Sequence, residues 1–124
     1  MNNRRVVVTG VGAITALGLD VDSTWRGVAN GENGVRSIDH FDASAFSTRF
    51  SASLNDFSTD GYLEARDAKR MDAFIQYGMV AGIQAMRDSG LEITEKNQDR
   101  VGCNVGAGIG GIGLIEKMSL TLNN

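Results

Sequence analysis

The run Gly106-Ala-Gly-Ile-Gly-Gly111 fits the spacing G-x-G-x-x-G, with a β-branched stretch before it and an apolar, helix-like stretch after it. In that setting, backbone N–H groups meet a pyrophosphate at a helix N-terminus. The acidic residue that holds the ribose is due about 20 residues later, and the sequence reaches Asn124 first. Gly10-Val-Gly12 offers a second start, but Thr15 stands at the third glycine position, and Glu32 sits in a Gly/Asn turn rather than at a strand end. The competing reading is that both glycine groups let a strand and a helix approach closely. A lone fingerprint favours that packing reading.

Cys103, the only cysteine, is a candidate nucleophile, and His40, the only histidine, a candidate acid–base group. Cys103 falls inside a strand-like run between Gly102 and Asn104, where a free thiol behaves as a small buried apolar group. His40 lies between Asp39 and Phe41 in a polar stretch, which reads as a solvated loop. One cysteine and one histidine give no disulfide and little support for a metal site or a Cys–His pair. Arg66, Lys69 and Arg70 are spaced to share one helical face. Taken alone they read as a solvated basic face opposed to a helix dipole; the functional alternative is a docking patch for an acidic partner.

The elements that must carry these residues alternate in type. Arg5–Thr9 and Arg100–Gly106 read as buried strands. A helix capped by Asp22-Ser23-Thr24 presents Val21, Trp25, Val28 and Ala29 on one face and ends at Asn30-Gly31. Residues 35–57 read as short strands and loops anchored by Phe41, Phe46, Phe50 and Phe57. Residues 69–89 read as a helix apolar nearly all round, hence buried, with Gly78 and Gly82 allowing close approach and Gly90 ending it. Residues 114–122 read as a last helix. Strand, helix, short strands, helix, strand, helix is an α/β order.

The chain has 124 residues, enough for one small domain, with 42% apolar and 22% charged residues, 16 glycines and no proline. Its net charge of −3 argues against nucleic acid as a partner. No apolar run approaches the roughly 18 residues of a membrane helix, and glycines break up the N-terminal apolar stretch too early for a signal peptide. A reducing, cytoplasmic setting fits the cysteine usage.

Several long stretches together resemble one family. They are Arg4-Arg-Val-Val-Val-Thr-Gly-Val-Gly12, Trp25 with Gly31-Glu-Asn-Gly34, Ile38-Asp-His-Phe-Asp42, Lys69-Arg-Met-Asp-Ala-Phe-Ile-Gln-Tyr-Gly78, Ala85-Met-Arg-Asp-Ser-Gly-Leu91 and Gly106-Ala-Gly-Ile-Gly-Gly111. In this order they resemble the N-terminal part of the β-ketoacyl-[acyl-carrier-protein] synthases, especially the elongating members. Ala16 departs from the pattern, where the family commonly has proline. The resemblance implies a thiolase-like α/β fold of two similar halves, usually as a homodimer, with residues 1–124 as an N-terminal piece of the first half. It implies a decarboxylating condensation that needs no cofactor and no metal, and acyl carrier protein as the partner. It places Ile109 at the border of the acyl pocket and makes Arg66, Lys69 and Arg70 the carrier-docking patch, reversing the bland reading above. The family's catalytic cysteine, histidines and lysine fall beyond residue 124, so no catalytic residue is assigned here and the segment alone is expected to be inactive. A non-catalytic carrier- or partner-binding piece, and a dinucleotide-binding oxidoreductase domain, stand as alternatives.

Overall fold

The computed structural model describes residues 4–54 and 56–123. Among these described residues four α-helices and one two-stranded sheet form: α1 Val21–Ala29, β1 Arg36–Ser37, β2 Phe50–Ser51, α2 Ala65–Ala68, α3 Ala73–Ser89 and α4 Ile112–Leu122, with a 3₁₀ turn at Gln98–Arg100.

α1 is capped by Asp20, two residues before the expected cap. The Asp20 carboxylate accepts the Ser23 backbone N–H at 2.7 Å, and Ser23 Oγ accepts the Asp20 N–H at 3.3 Å. A spacing of three makes this reciprocal pair, a capping box, reachable. The Ser23 N–H holds the Asp20 carboxyl below its ordinary value. Just upstream, Thr15 and Gly18 exchange two backbone hydrogen bonds of 2.8 and 3.2 Å. That closes the Thr15–Gly18 turn without a proline at Ala16. Trp25 and Val28, expected on the buried face of α1, are 68% and 52% exposed.

α3 is the organising element. Asp72 caps it by accepting the Ala73 N–H at 2.7 Å, and Gly90 ends it with φ of 62°. It starts four residues later than expected, because residues 69–72 form a link between α2 and α3. The segment 10–19 lies along its C-terminal half. The backbones of Gly10 and Gly12 press on Ala81, Ala85 and Ser89 so closely that a Cβ at Gly12 would fall inside the Ala81 backbone. Polar bonds fix the register: Val11 N–H to Asp88 Oδ2 at 2.8 Å, Ala13 N–H to Gln84 Oε1 at 3.1 Å, and Gln84 Nε2–H to the Leu19 carbonyl at 2.7 Å. Nearer the start of α3, Phe57 stacks edge-on against Tyr77, centroids 4.7 Å apart. Arg87 lies 4.9 Å over the Tyr62 ring and donates to the Gly61 carbonyl at 3.0 Å.

Several expectations are corrected. Arg5–Thr9 and Arg100–Gly106 enter no ladder among the described residues, and Val6, Val8 and Val105 are 93%, 82% and 66% exposed. A buried strand needs neighbours on both edges and cover on both faces, and this segment supplies neither. β1 and β2 pair antiparallel, Arg36 with Ser51 and Ser37 with Phe50, and no larger sheet forms among the described residues. Of the four anchoring phenylalanines, Phe41, Phe46 and Phe50 are exposed, and Phe57 is the one that docks on α3. α3 is not covered all round: Val80 is fully buried, while Phe74, Ile75, Met79 and Met86 stay partly open. A Cβ at Gly82 would meet nothing within 4 Å, so close approach uses Gly78, beside Val105 Cγ1, and not Gly82. α4 exposes Ile112, Leu114, Ile115, Met118, Leu120 and Leu122.

The total accessible surface is 10,519 Å². A compact 13.2 kDa monomer would expose about 6,400 Å². The excess accompanies many exposed large apolar side chains, among them Val6, Val8, Trp25, Ile109 and Leu122, which mark faces built to be covered. Residues 1–124 in isolation should therefore self-associate, which sedimentation velocity will show as mass rising with concentration; a clean monomer with one sharp thermal transition would refute this. The two glycines of α3's surroundings should behave oppositely. Gly12→Ala should lower α3 stability by about 1–3 kcal/mol through overpacking, whereas Gly82→Ala should raise it by about 0.5–1 kcal/mol. Amide hydrogen exchange within α3 reads both, and equal signs would contradict the seat of residues 10–12 on this helix.

Candidate functional site

The basic residues are displayed by a short piece of helix and the link after it. The Thr59 carbonyl accepts the N–H groups of Tyr62 and Leu63, a turn that delivers the chain to Glu64. α2 then lasts a single turn. Arg66 lies within it; Lys69 is its C-cap residue, and Arg70 follows. All three are exposed. The Arg66 Nε lies 3.7 Å from Asp67 Oδ1, an open ion pair of small energetic weight. The cations do not occupy the first turn of α3, so the expected conflict with its dipole is not realised; Asp72 holds that end.

The link carrying Lys69 and Arg70 is tied to α3 by one side chain. Gln76 Nε2 donates to the Ala68 carbonyl at 2.9 Å and to the Met71 carbonyl at 3.0 Å. The same end of α3 seats the glycine-rich turn. Gly110 adopts φ of 74° and lies against the Phe74 ring, and Gly111 lies against the Asp72 carboxylate. Only glycine takes that backbone angle without strain. Asp72 Oδ2 is buried there without a hydrogen-bond partner. Ile109, one residue before, is 73% exposed. The opening stretch of α3, Asp72–Gly78, thus places Ile109 and the basic group at one end of the same helix, though they lie about forty positions apart in the sequence.

Cys103 is exposed rather than buried, a correction that follows from the missing strand. His40 is solvated as expected, edge-on to Phe41 at 5.0 Å and 3.9 Å from Asp39. Glu32 accepts from the Asn30 amide at 3.2 Å within its turn. Gly10 and Gly12 pack against α3, and Gly110 and Gly111 against its opening residues Asp72 and Phe74, whereas a Cβ at Gly106 or Gly108 would meet nothing within 4 Å. Among the described residues no group of three His, Cys, Asp or Glu is placed to hold a metal, and no helix is long and apolar enough to cross a membrane. Reading by motif missed Gln76, Gln84 and Arg87. The signal was available for the two glutamines: an amide in an otherwise apolar helix must find hydrogen-bond partners.

The architecture overlays the ishigamide ketosynthase/chain length factor over 98% of this chain and 31% of that one, with a TM-score of 0.74 and 27% identity. The fold is thus α/β and thiolase-like, represented by part of one half. The family model described as "Beta-ketoacyl synthase, N-terminal domain" matches residues 3–124, and the chain belongs to that family. It is 53% identical over 116 residues to the 3-oxoacyl-[acyl-carrier-protein] synthase 2 of Vibrio harveyi, and 44% identical over 117 residues to that of Coxiella burnetii. In each case the match covers 94% of this chain and 28% of the relative, so the chain spans little more than a quarter of the length of these proteins.

Proposed function

We propose that residues 1–124 form the N-terminal unit of an elongating β-ketoacyl-[acyl-carrier-protein] synthase of fatty acid synthesis, working in the cytoplasm as a homodimer. The observation that carries this reading is the match to the N-terminal synthase domain over residues 3–124. In the complete protein an acyl group passes from carrier protein to a cysteine thiolate outside this segment. Malonyl-carrier protein then loses carbon dioxide, and its carbanion attacks the thioester, releasing the thiolate. Donors outside this segment stabilise the developing negative charge. This unit's share is to bind and to shape. Arg66, Lys69 and Arg70 dock the acidic carrier, and their common exposure on a short stretch supports that role. Ile109 borders the acyl pocket, and its open side chain on a turn fixed to α3 supports that one.

In a complete synthase carrying this segment, Arg66→Glu, Lys69→Glu and Arg70→Glu should each raise the KM for acyl-carrier protein several-fold, in line with about 0–1 kcal/mol per surface charge pair. Turnover of a small acyl thioester should not change, and added salt should narrow the gap to the parent enzyme. An equal loss on both substrates would make the patch structural; no change on either would return it to a solvated charged face. Ile109→Phe should shorten the longest acyl chain accepted while sparing short chains, since the ring takes volume that long chains need. A uniform fall in rate across chain lengths would remove Ile109 from the pocket.

A further inference from the structure

We propose that Gln76 is the positioning residue of the docking patch: its amide locks the link that carries Lys69 and Arg70 onto α3. The proposal rests on the docking reading above and adds the device that makes the patch rigid.

The argument begins with the link itself. Ala68 and Lys69 close the last helical bonds of α2, to the Glu64 and Ala65 carbonyls at 3.0 and 3.2 Å, and beyond them come turn bonds, Arg70 N–H to the Asp67 carbonyl at 3.0 Å and Met71 N–H to the Ala68 carbonyl at 3.1 Å. Such a stretch, after a four-residue helix, has little intrinsic order. Its two cations sit on long side chains that project into water. Carrier docking needs these charges in a fixed arrangement, because exposed charges otherwise lose their attraction to side-chain and backbone entropy.

Gln76 supplies the constraint. One nitrogen carries two donors, and both are used. The two acceptors are the carbonyls of Ala68 and Met71, the residues that bracket Lys69 and Arg70. Ala68 is 7% exposed, so this anchor point is shielded from water. Gln76 itself is half-buried on a helix of 17 residues capped at both ends. The second tie to the region, from Arg87 to the Gly61 carbonyl, is exposed and lies upstream of α2. Gln76 is therefore the one side chain, among the described residues, that bonds both ends of the cationic link.

The test uses a complete synthase carrying this segment, with two variants that remove the donors at nearly constant size, Gln76→Met and Gln76→Glu. Each should raise the KM for acyl-carrier protein about fivefold, the effect of losing a typical hydrogen bond's worth of ordering. The kcat and the turnover of a small acyl thioester should stay within about twofold. Amide exchange should speed up at residues 66–72 and remain unchanged in the C-terminal half of α3. Parallel loss on both substrates in both variants, or unchanged exchange at 66–72, would overturn the proposal. Lys69→Glu and Arg70→Glu serve as the separate check on docking. If they raise the KM and the Gln76 variants do not, positioning alone fails. If they leave the KM unchanged, docking fails and the proposal falls with it, even where exchange shows that the clamp exists.

Discussion

The arrangement of this chain depends on two backbones meeting across glycine. Gly10 and Gly12 have no Cβ, and Ala81, Ala85 and Ser89 offer only small side chains on the facing stripe of α3. The extended segment can therefore lie on the helix backbone itself. That proximity lets the short side chain of Asp88 and the amide of Gln84 reach main-chain groups of Val11, Ala13 and Leu19. Once residues 10–19 are fixed, the turn at Thr15–Gly18 and the cap at Asp20 follow, and they set where α1 begins. Without the glycine contact, α1 would have only local reasons to stand anywhere near α3.

Helices and strands fare differently here for a physical reason. A helix satisfies its backbone within the segment and can form with one face uncovered. A strand satisfies its backbone only through neighbours. Hence α1, α3 and α4 appear close to where their periodicity and glycine stops place them, and the runs at 5–9 and 100–106 keep strand composition without strand pairing. The valines at 6–8 were legible as residues meant for an interior, but their lateral partners are a property of distant sequence. The same logic explains Cys103, which is apolar in context and exposed in this segment. The break before Asp72 was harder to read: residues 66–70 have good helix formers, and the Asp72 cap wins because it starts a longer helix with better contacts.

The candidate site was legible as residue types and not as an arrangement. Three cations within five positions, or one isoleucine in a glycine-rich run, can be found by eye. That both groups are held at the start of α3 cannot, because the ties run through Asp72, Phe74 and Gln76, distant in sequence from the glycine-rich turn. Gly111, the last glycine of the fingerprint, and its neighbour Gly110 show how a motif's spacing and its contacts differ. The spacing of Gly106, Gly108 and Gly111 suits a pyrophosphate cradle, yet the close approaches are made by Gly110 and Gly111, to an aromatic ring and a carboxylate, while Gly106 and Gly108 stand clear. Spacing reports that a backbone must come close to something; what it approaches is decided by the fold.

The balance of charge limits what the basic group can do for an acidic partner. The segment as a whole carries a net charge of −3, and Glu64, Asp67 and Asp72 lie within a few residues of the three cations. At a distance well beyond the Debye length of about 8 Å, an acidic protein meets no attraction from this segment. Only at close range do Arg66, Lys69 and Arg70 dominate the local field. Such a patch is suited to orienting a partner already in contact more than to drawing one in from solution. Orientation, unlike long-range steering, demands that the charges hold fixed positions relative to the acyl pocket proposed at Ile109. Both the cationic link and the turn bearing Ile109 are fastened to the same two turns of α3. A displacement of that helix end therefore carries the two together and preserves their spacing, which would not hold if they were mounted on separate elements.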